Sequence, residues 1–232
     1  INKQGKADPS LQNHRIGEQK QEGLYYVNWH PYGGNPSQKQ LLQVLEYVGS
    51  LDDEVQIQLS SDESMYIVNL TADEARQVLA ITENGGTNNF YNSVSCIGAT
   101  ICQVGLQDSS GLLIKIFDAV RKATNVNSDL LPKFHISGCP SSCGTHQIGT
   151  IGFHGAMKVV NSVPTPAFRV FRGGNENLEH EHFAEQIGTI VSSDIPSFFV
   201  ELGQILTKAN LTFDAWIQIH EADFDELVSK YE

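Results

Sequence analysis

Hydrophobic residues recur at strand and helix spacing through residues 24–83, and the pattern predicts five elements. Three stretches rich in β-forming residues predict strands, and they read LYYVNWH, VQIQL and MYIV. Pro36 and Ser37 open one predicted helix, and Thr71 with Glu74 forms a capping box ahead of a second. The order strand, helix, strand, strand, helix predicts a small α+β sandwich. The shared apolar face of the first helix comprises Leu41, Leu42, Leu45 and Val48.

A second group of elements follows the loop ENGGTNN at residues 83–89. Apolar spacing predicts a helix over residues 112–123 and short strands over 134–137 and 151–155. The stretch FRVFRGGNEN predicts a strand that ends in a glycine turn. Helical stretches are predicted in the tail near residues 181–190, 195–208 and 213–219.

These groups divide the chain into three predicted parts. Residues 1–22 are polar, without sustained periodicity, and predict an extended arm or linker. Residues 23–84 predict the small α+β domain, and residues 85–232 predict a larger mixed domain. The predicted fold class is therefore α+β.

Charge and composition exclude some partners. The formal net charge is -12 and no basic stripe stands out, so nucleic acid is not an expected partner. No run of 18 apolar residues is present, which predicts no membrane span. The N-terminal stretch INKQGKADPS lacks the pattern of a secretion signal. We therefore expect a soluble protein in the cytoplasm.

The four cysteines form two pairs. Cys96 and Cys102 are separated by five residues, and Cys139 and Cys143 by three. Both pairs lie in segments of small residues, CIGATIC and GCPSSCG. An iron-sulfur cluster favours such loops, because its sulfides occupy volume next to the backbone and accept hydrogen bonds from main-chain N–H groups.

Other uses of the thiols are open on spacing alone. Structural zinc usually takes pairs separated by two to four residues, and the first pair here is separated by five. Two disulfides are possible by count, although a reducing compartment disfavours them. A nucleophilic cysteine would need a histidine partner, and His135 and His146 lie near in sequence. Inert buried cysteines would be scattered rather than paired. Iron-sulfur ligation is the best of these interpretations.

CIGATIC followed by SGCPSSCGTHQIGTIGFHGA resembles the cluster-binding region of the siroheme-dependent nitrite and sulfite reductases. Upstream, HRIGEQKQEGLYYV resembles the entry into the family's ferredoxin-like half-domain. Downstream, FRVFRGGNENLEHEHFAEQIG resembles its glycine-turn strand and the helix that follows. The resemblance extends from about residue 14 to residue 190. It implies that residues 23–84 form the ferredoxin-like half-domain and that residues 85–232 form an α/β domain that binds siroheme and a 4Fe-4S cluster.

The resemblance also implies a ligand set and a reaction. Cys96, Cys102, Cys139 and Cys143 would ligate the 4Fe-4S cluster, and Cys143 would also bridge to the siroheme iron. The family reduces sulfite to sulfide or nitrite to ammonia with six electrons, supplied by a donor such as ferredoxin. Ferredoxins are acidic, as this chain is, which disfavours docking on this part of the enzyme.

Two departures from the family pattern limit what is carried over. Ser141 stands where the family commonly has asparagine, which concerns cofactor tuning rather than cluster binding. The family enzymes have two pseudo-symmetric modules with siroheme between them, and this chain resembles only the second. We therefore expect a fragment, or a chain that completes its site with the N-terminal module, with a second subunit or by self-association. Catalytic residues are not assignable, and the isolated chain should have little or no activity.

Siroheme carries many carboxylates, so its pocket needs cations or N–H donors. Lys158, Arg169 and Arg172 follow the second cysteine loop and are the candidates, although ordinary surface charges are the common alternative. The histidines of this region either line the cofactor pocket or are ordinary hydrogen-bonded or exposed residues. The two tryptophans are expected to be core anchors. These residues are His135, His146, His154, Trp29 and Trp216. A siroheme-free 4Fe-4S module for electron transfer or structure, and a zinc-stabilised interaction domain, are the alternative functions.

Overall fold

The chain divides into two units, Ile1–Asn88 and Asn89–Glu232. The computed structural model describes residues 1–177 and 179–232. Each unit contains one β-sheet with helices, so the predicted α+β class is confirmed.

The sheet of the first unit is antiparallel, with the strand order β1-β2-β4-β3. Its edge strand β1 lies within the stretch predicted to be an arm. Ile16 of that strand pairs with Val27 of the next strand, and a strand of three residues is too short to show an alternating pattern of its own. The four strands are β1 (Ile16–Glu18), β2 (Tyr25–Trp29), β3 (Gln56–Leu59) and β4 (Met65–Leu70).

Two capped helices complete the first unit, α1 (Gln38–Gly49) and α2 (Ala72–Ile81). The predicted capping box at Thr71 and Glu74 is confirmed. The predicted apolar face of α1 is partly wrong. Leu42 and Leu45 remain about half exposed, and Val44 is the fully buried residue. Trp29 is fully buried in this core, as expected.

The sheet of the second unit is mixed, with the order β5-β6-β7-β8-β9. The first two pairings are parallel and the last two antiparallel. The β7–β8 hairpin is the longest ladder of the unit, and its turn is formed by Asn161 and Ser162 with positive φ. The strands are β5 (Val94–Ser95), β6 (Phe134–Ser137), β7 (Ile151–Val160), β8 (Val163–Arg172) and β9 (Glu185–Val191).

The predicted helix near residues 181–190 is wrong. Those positions include β9, which pairs with β8 from Ala167↔Val191 to Arg172↔Glu185. The open edge of β8 offers hydrogen bonds that outweigh the local preference, and Ile187 and Thr189 suit a strand. The helices of this unit are α3 (Ser109–Lys122), α4 (Ile195–Ala209), α5 (Phe213–Ile217) and α6 (Glu221–Lys230). Within the described residues, no helix has the length and apolar character needed to cross a bilayer.

The two faces of the second sheet differ in chemistry because side chains alternate along each strand. On one face, Phe134 and Phe153 pack against Phe199 of α4, with ring centroids 4.5 and 5.7 Å away. On the other face, His135 pairs with Gly152, and Ser137 pairs with His154. We call the first the aromatic face and the second the histidine face. The loop between β6 and β7 folds over the histidine face, so the polar side chains on that face of the sheet are buried.

Candidate functional site

Cys96 follows β5 directly and lies against the end of β6. Its N–H donates to the carbonyl of Ile136 at 3.1 Å. The N–H of Gly138 donates to the Cys96 Sγ atom at 3.1 Å, and the hydroxyl of Ser109 lies 3.2 Å from the same sulfur. A sulfur that accepts a main-chain N–H in this way is prepared to carry the negative charge of a metal-bound thiolate.

Hydrogen bonds join the two cysteine loops to each other. The N–H groups of Leu106 and Gln107 donate to the carbonyl of Gly138 at 3.0 and 2.9 Å. The side chain of Gln107 donates to the carbonyl of Ala156 on β7 at 2.8 Å. Gly138 immediately precedes Cys139, so these bonds bring the segment after Cys102 next to the second pair. The structure therefore places both pairs at one end of β6.

The small residues of these loops are required by close backbone packing. A Cβ atom on Gly144 would lie 2.2 Å from the carbonyl oxygen of Ile136, and one on Gly138 would lie 2.7 Å from that of Gln107. Gly98 has φ 71° and would also meet the backbone of Ser109. This packing also brings the Gly138 N–H to the Cys96 sulfur, and an iron-sulfur cluster uses donors of this kind, so the residues present fit such a group.

The four thiols differ in exposure. Cys139 is buried, Cys96 and Cys102 are intermediate, and Cys143 is exposed. In the part of the chain that the structure describes, no three Cys, His, Asp or Glu side chains are close enough to hold one metal ion.

Three buried histidines lie beneath the second cysteine loop, on the histidine face. His135 Nδ1 is 3.2 Å from the Gly144 carbonyl oxygen and 2.8 Å from the Thr145 hydroxyl. His146 Nδ1 is 3.0 Å from the Ser137 hydroxyl. The rings of His146 and His154 are 4.9 Å apart and both contact Phe171. The sequence allowed either residues that line a cofactor pocket or ordinary hydrogen-bonded or exposed histidines. The structure buries all three side chains around one loop.

Burial controls the charge of this cluster. It lowers the pKa of His146 to about 4, with smaller contributions from His154 and His135. Burial also lowers the pKa of His154, against a hydrogen bond to the Gly155 carbonyl that raises it. A carbonyl only accepts, so the proton of neutral His154 lies on Nδ1. At neutral pH His146 is therefore an uncharged hydrogen-bonding group.

The three predicted cationic candidates lie on different sides of the second sheet. Arg169 pairs with His154, so Arg169 and Lys158 share the histidine face, where Arg169 donates to Gln186 at 3.1 Å and Lys158 to the Thr189 carbonyl at 3.2 Å. Arg172 pairs with Ile151 on the opposite face. Its guanidinium forms ion pairs of 2.6 Å with Glu221 and Asp225 of α6. Arg172 thus has a structural role, and its contact with siroheme stays a prediction.

No protein-family model matches the chain. It is 25% identical over 146 residues to the sulfite reductase [NADPH] hemoprotein beta-component of Bacillus velezensis, covering 57% of this chain and 26% of that protein. It is also 25% identical over 169 residues to the chloroplastic ferredoxin–nitrite reductase of Spinacia oleracea, covering 67% of this chain and 27% of that protein. The chain is therefore similar to nitrite and sulfite reductases. It spans about a quarter of the length of these relatives.

Solved structures share the family's fold. The Mycobacterium tuberculosis NirA protein matches with a TM-score of 0.71 at 20% identity, covering 94% of this chain and 42% of NirA. Dissimilatory sulfite reductase I matches with a TM-score of 0.60 at 8% identity, covering 89% of this chain and 69% of that one. The match to NirA covers nearly the whole chain and therefore supports the fold in both units.

Sequence reasoning missed several polar residues around the cysteines. Gln107 lies just before α3 and Ser109 begins it. The Gln107 side chain bonds to Ala156 of β7, and the Ser109 hydroxyl lies against the Cys96 sulfur, contacts that depend on packing between elements. Ser137 was also missed, although the alternation Phe-His-Ile-Ser in β6 places it beside His135 on one face. That alternation was the available signal for a polar face.

Proposed function

We propose that this chain is the C-terminal, cluster-bearing module of a siroheme and 4Fe-4S nitrite or sulfite reductase. Residues 85–232 would bind the cofactors, and residues 23–84 would form the ferredoxin-like half-domain. The observation that carries the proposal is the joining of the two cysteine pairs at the end of β6, with the Gly138 N–H bonded to the Cys96 sulfur. The kinship with reductase hemoproteins supports the same assignment.

The cysteines have distinct proposed roles. All four cysteines would hold the cluster, and the family resemblance assigns to Cys143 the additional contact with siroheme, which agrees with the exposure of this side chain. The main-chain N–H of Gly138 stabilises the thiolate of Cys96. When bound, the two cofactors would pass electrons from an external donor to the substrate in the six-electron reduction of sulfite or nitrite.

The remaining parts of the enzyme would come from outside this chain. Lys158 and Arg169 provide cations on the histidine face for siroheme carboxylates. The 15 Lys and Arg residues are scattered along the sequence and form no basic cluster, so the anion-binding groups are assigned to the N-terminal module or a second subunit. The electron donor is of the ferredoxin type or another reductant, and the proposed location is the cytoplasm.

The test is the visible absorption spectrum of the chain, purified without oxygen from cells that make siroheme, with iron and tetrapyrrole measured on the same sample. Soret and red bands with about five irons per chain support the full assignment. A brown protein with about four irons and no macrocycle points to a siroheme-free cluster module or to a siroheme site that needs the other module. A colourless protein without iron contradicts cofactor binding by this chain.

Two variants separate the remaining outcomes. Cys143→Ser should remove the cluster and the macrocycle bands together if this sulfur bridges the two groups. Cys102→Ser is the matched change at a thiol assigned to the cluster alone. If this variant retains siroheme, the absorption bands of the macrocycle should no longer show coupling to the cluster. The isolated chain should reduce nitrite and sulfite poorly, and rapid turnover would contradict the module assignment.

A further inference from the structure

The Gly144 peptide follows Cys143 directly and is held at both of its polar ends. Its N–H donates to the Ser137 hydroxyl at 3.1 Å. Its carbonyl lies 3.2 Å from His135 Nδ1. Both contacting side chains belong to β6 and are nearly inaccessible to solvent. A peptide fixed at both ends cannot rotate, so the bond that leads to Cys143 has a set direction.

His146 extends this network through Ser137. The Ser137 oxygen accepts from Gly144 and lies 3.0 Å from His146 Nδ1. A hydroxyl has one proton, and it satisfies both neighbours when it donates to Nδ1 of a neutral His146. His146 is buried, and Phe171 and His154 hold its ring. The orientation of the serine hydroxyl is therefore set from beneath the loop.

The backbone on either side of Cys143 needs such support. Ser142 has φ 59° and Thr145 has φ 53°, both in the left-handed region. This region is unfavourable for residues with a side chain, and most of all for a β-branched residue such as Thr145. Strained backbone persists where surrounding contacts over-determine it, and it gathers at functional sites. The Thr145 hydroxyl, 2.8 Å from His135 Nδ1, joins the same set of contacts.

We propose that Ser137 and His146 are positioning residues, which fix the Gly144 peptide and thereby the direction in which the Cys143 sulfur meets its ligand. This inference rests on the proposed function, since the ligand is the cluster and the group it bridges. Neither residue is among the proposed ligands. They act through the Gly144 N–H and through the strained turn between Ser142 and Thr145.

Three variants test this on the chain with its cluster bound. Ser137→Ala removes the acceptor of the Gly144 N–H, and His146→Phe keeps a ring but removes Nδ1. Ser93→Ala is the matched control, because Ser93 is a buried serine that accepts the Phe134 N–H at 2.9 Å at the other end of β6. The readouts are the electron paramagnetic resonance spectrum and the reduction potential of the cluster, together with thermal stability.

We expect Ser137→Ala and His146→Phe to change the resonance spectrum and potential, while Ser93→Ala lowers thermal stability and leaves both cluster signals as in the wild type. If the two variants match Ser93→Ala in both signals, the positioning role is overturned and the cluster assignment stands.

If the wild-type chain binds no iron, the proposed function fails, and the positioning of the peptide is judged on the metal-free chain by hydrogen exchange of the Gly144 amide. Exchange at least tenfold faster in Ser137→Ala than in Ser93→Ala supports the contact. Equal rates overturn it.

Discussion

The two faces of the five-stranded sheet are made from alternate residues of the same strands, yet they are stabilised in different ways. On the aromatic face, Phe134 and Phe153 pack against helices and are fully buried. On the histidine face, His135 and Ser137 are buried just as deeply, but the cover is the second cysteine loop. The comparison shows that a loop without regular structure can close a polar core when its backbone bonds to buried side chains.

The two faces contribute to the stability of the fold by different interactions. The aromatic face buries large apolar area, which is the main source of stability. The histidine face gains less from apolar burial and depends on satisfying each polar group. We therefore expect substitutions on the aromatic face to reduce stability broadly, and substitutions on the histidine face to act first on the cysteine loop.

The largest expected effect is on the aromatic face. Phe134→Ala removes a ring that contacts Phe199 at 4.5 Å and Phe90 at 5.4 Å, and it should lower the free energy of unfolding by about 3–5 kcal/mol. Urea unfolding measures the change. Phe183→Ala, at a ring that is 75% exposed, is the control and should cost less than about 0.5 kcal/mol. Similar losses for both variants would contradict the assignment of Phe134 to the core.

The next effect concerns the loop that covers the histidine face. Gly144→Ala places a Cβ atom 2.2 Å from the Ile136 carbonyl oxygen, so the loop must lift from β6, with a cost of about 3 kcal/mol. Gly173→Ala is the control, since this glycine has φ 82° but no neighbour within 4 Å, and only the backbone cost of about 1 kcal/mol is expected. Faster exchange of the His135 and Ser137 amides in Gly144→Ala alone would locate the damage. A Gly144→Ala variant as stable as Gly173→Ala would be incompatible with this packing.

Two arginines on β8, three residues apart, lie on opposite faces of the sheet, and their substitution should have smaller effects on stability. Arg172→Met leaves Glu221 and Asp225 without their shared cation, and it should cost about 1–2 kcal/mol. Arg169→Met removes one exposed hydrogen bond to Gln186 and should cost less than about 0.5 kcal/mol. Arg169→Met should instead weaken siroheme retention if the proposed function holds. The reverse order of stabilities would refute the structural role given to Arg172.

The sequence predicted most elements of the first unit and the strands β6 and β7 and helix α3 of the second, because their signals are local. The capping box at Thr71 and the strand Phe134–Ser137 follow from residues that are neighbours in the chain. Strands β1 and β9 were missed, since each is stabilised by backbone pairing with the strand beside it in the sheet, which the pattern of its own residues does not record. The cysteine spacing identified the candidate ligands, but no pattern indicated that Ser137 would bond to Gly144. That contact exists only once the loop has folded back over β6.

The smallest effect is the pH dependence of the histidine face. Burial lowers the pKa of His146 to about 4 in the folded chain, below its ordinary value of 6.5, while His154 and His135 face it within the cluster. Between these two pH values the unfolded chain binds a proton that the folded chain does not. The free energy of unfolding should therefore fall as the pH drops through this window, and this contribution should level off below about pH 4.

Comparing variants isolates this contribution from the carboxylates that also titrate in acid. Lowering the pH from 7.5 to 5.5 should cost the wild type about 1 kcal/mol more than His146→Phe, allowing for partial solvent screening. His14→Gln, at an exposed histidine, should follow the wild type. Urea unfolding at a series of pH values measures the three curves. Parallel curves for wild type and His146→Phe would mean that the folded chain accommodates a charged His146, and that the loop seals the histidine face less completely than α3 and α4 seal the aromatic one.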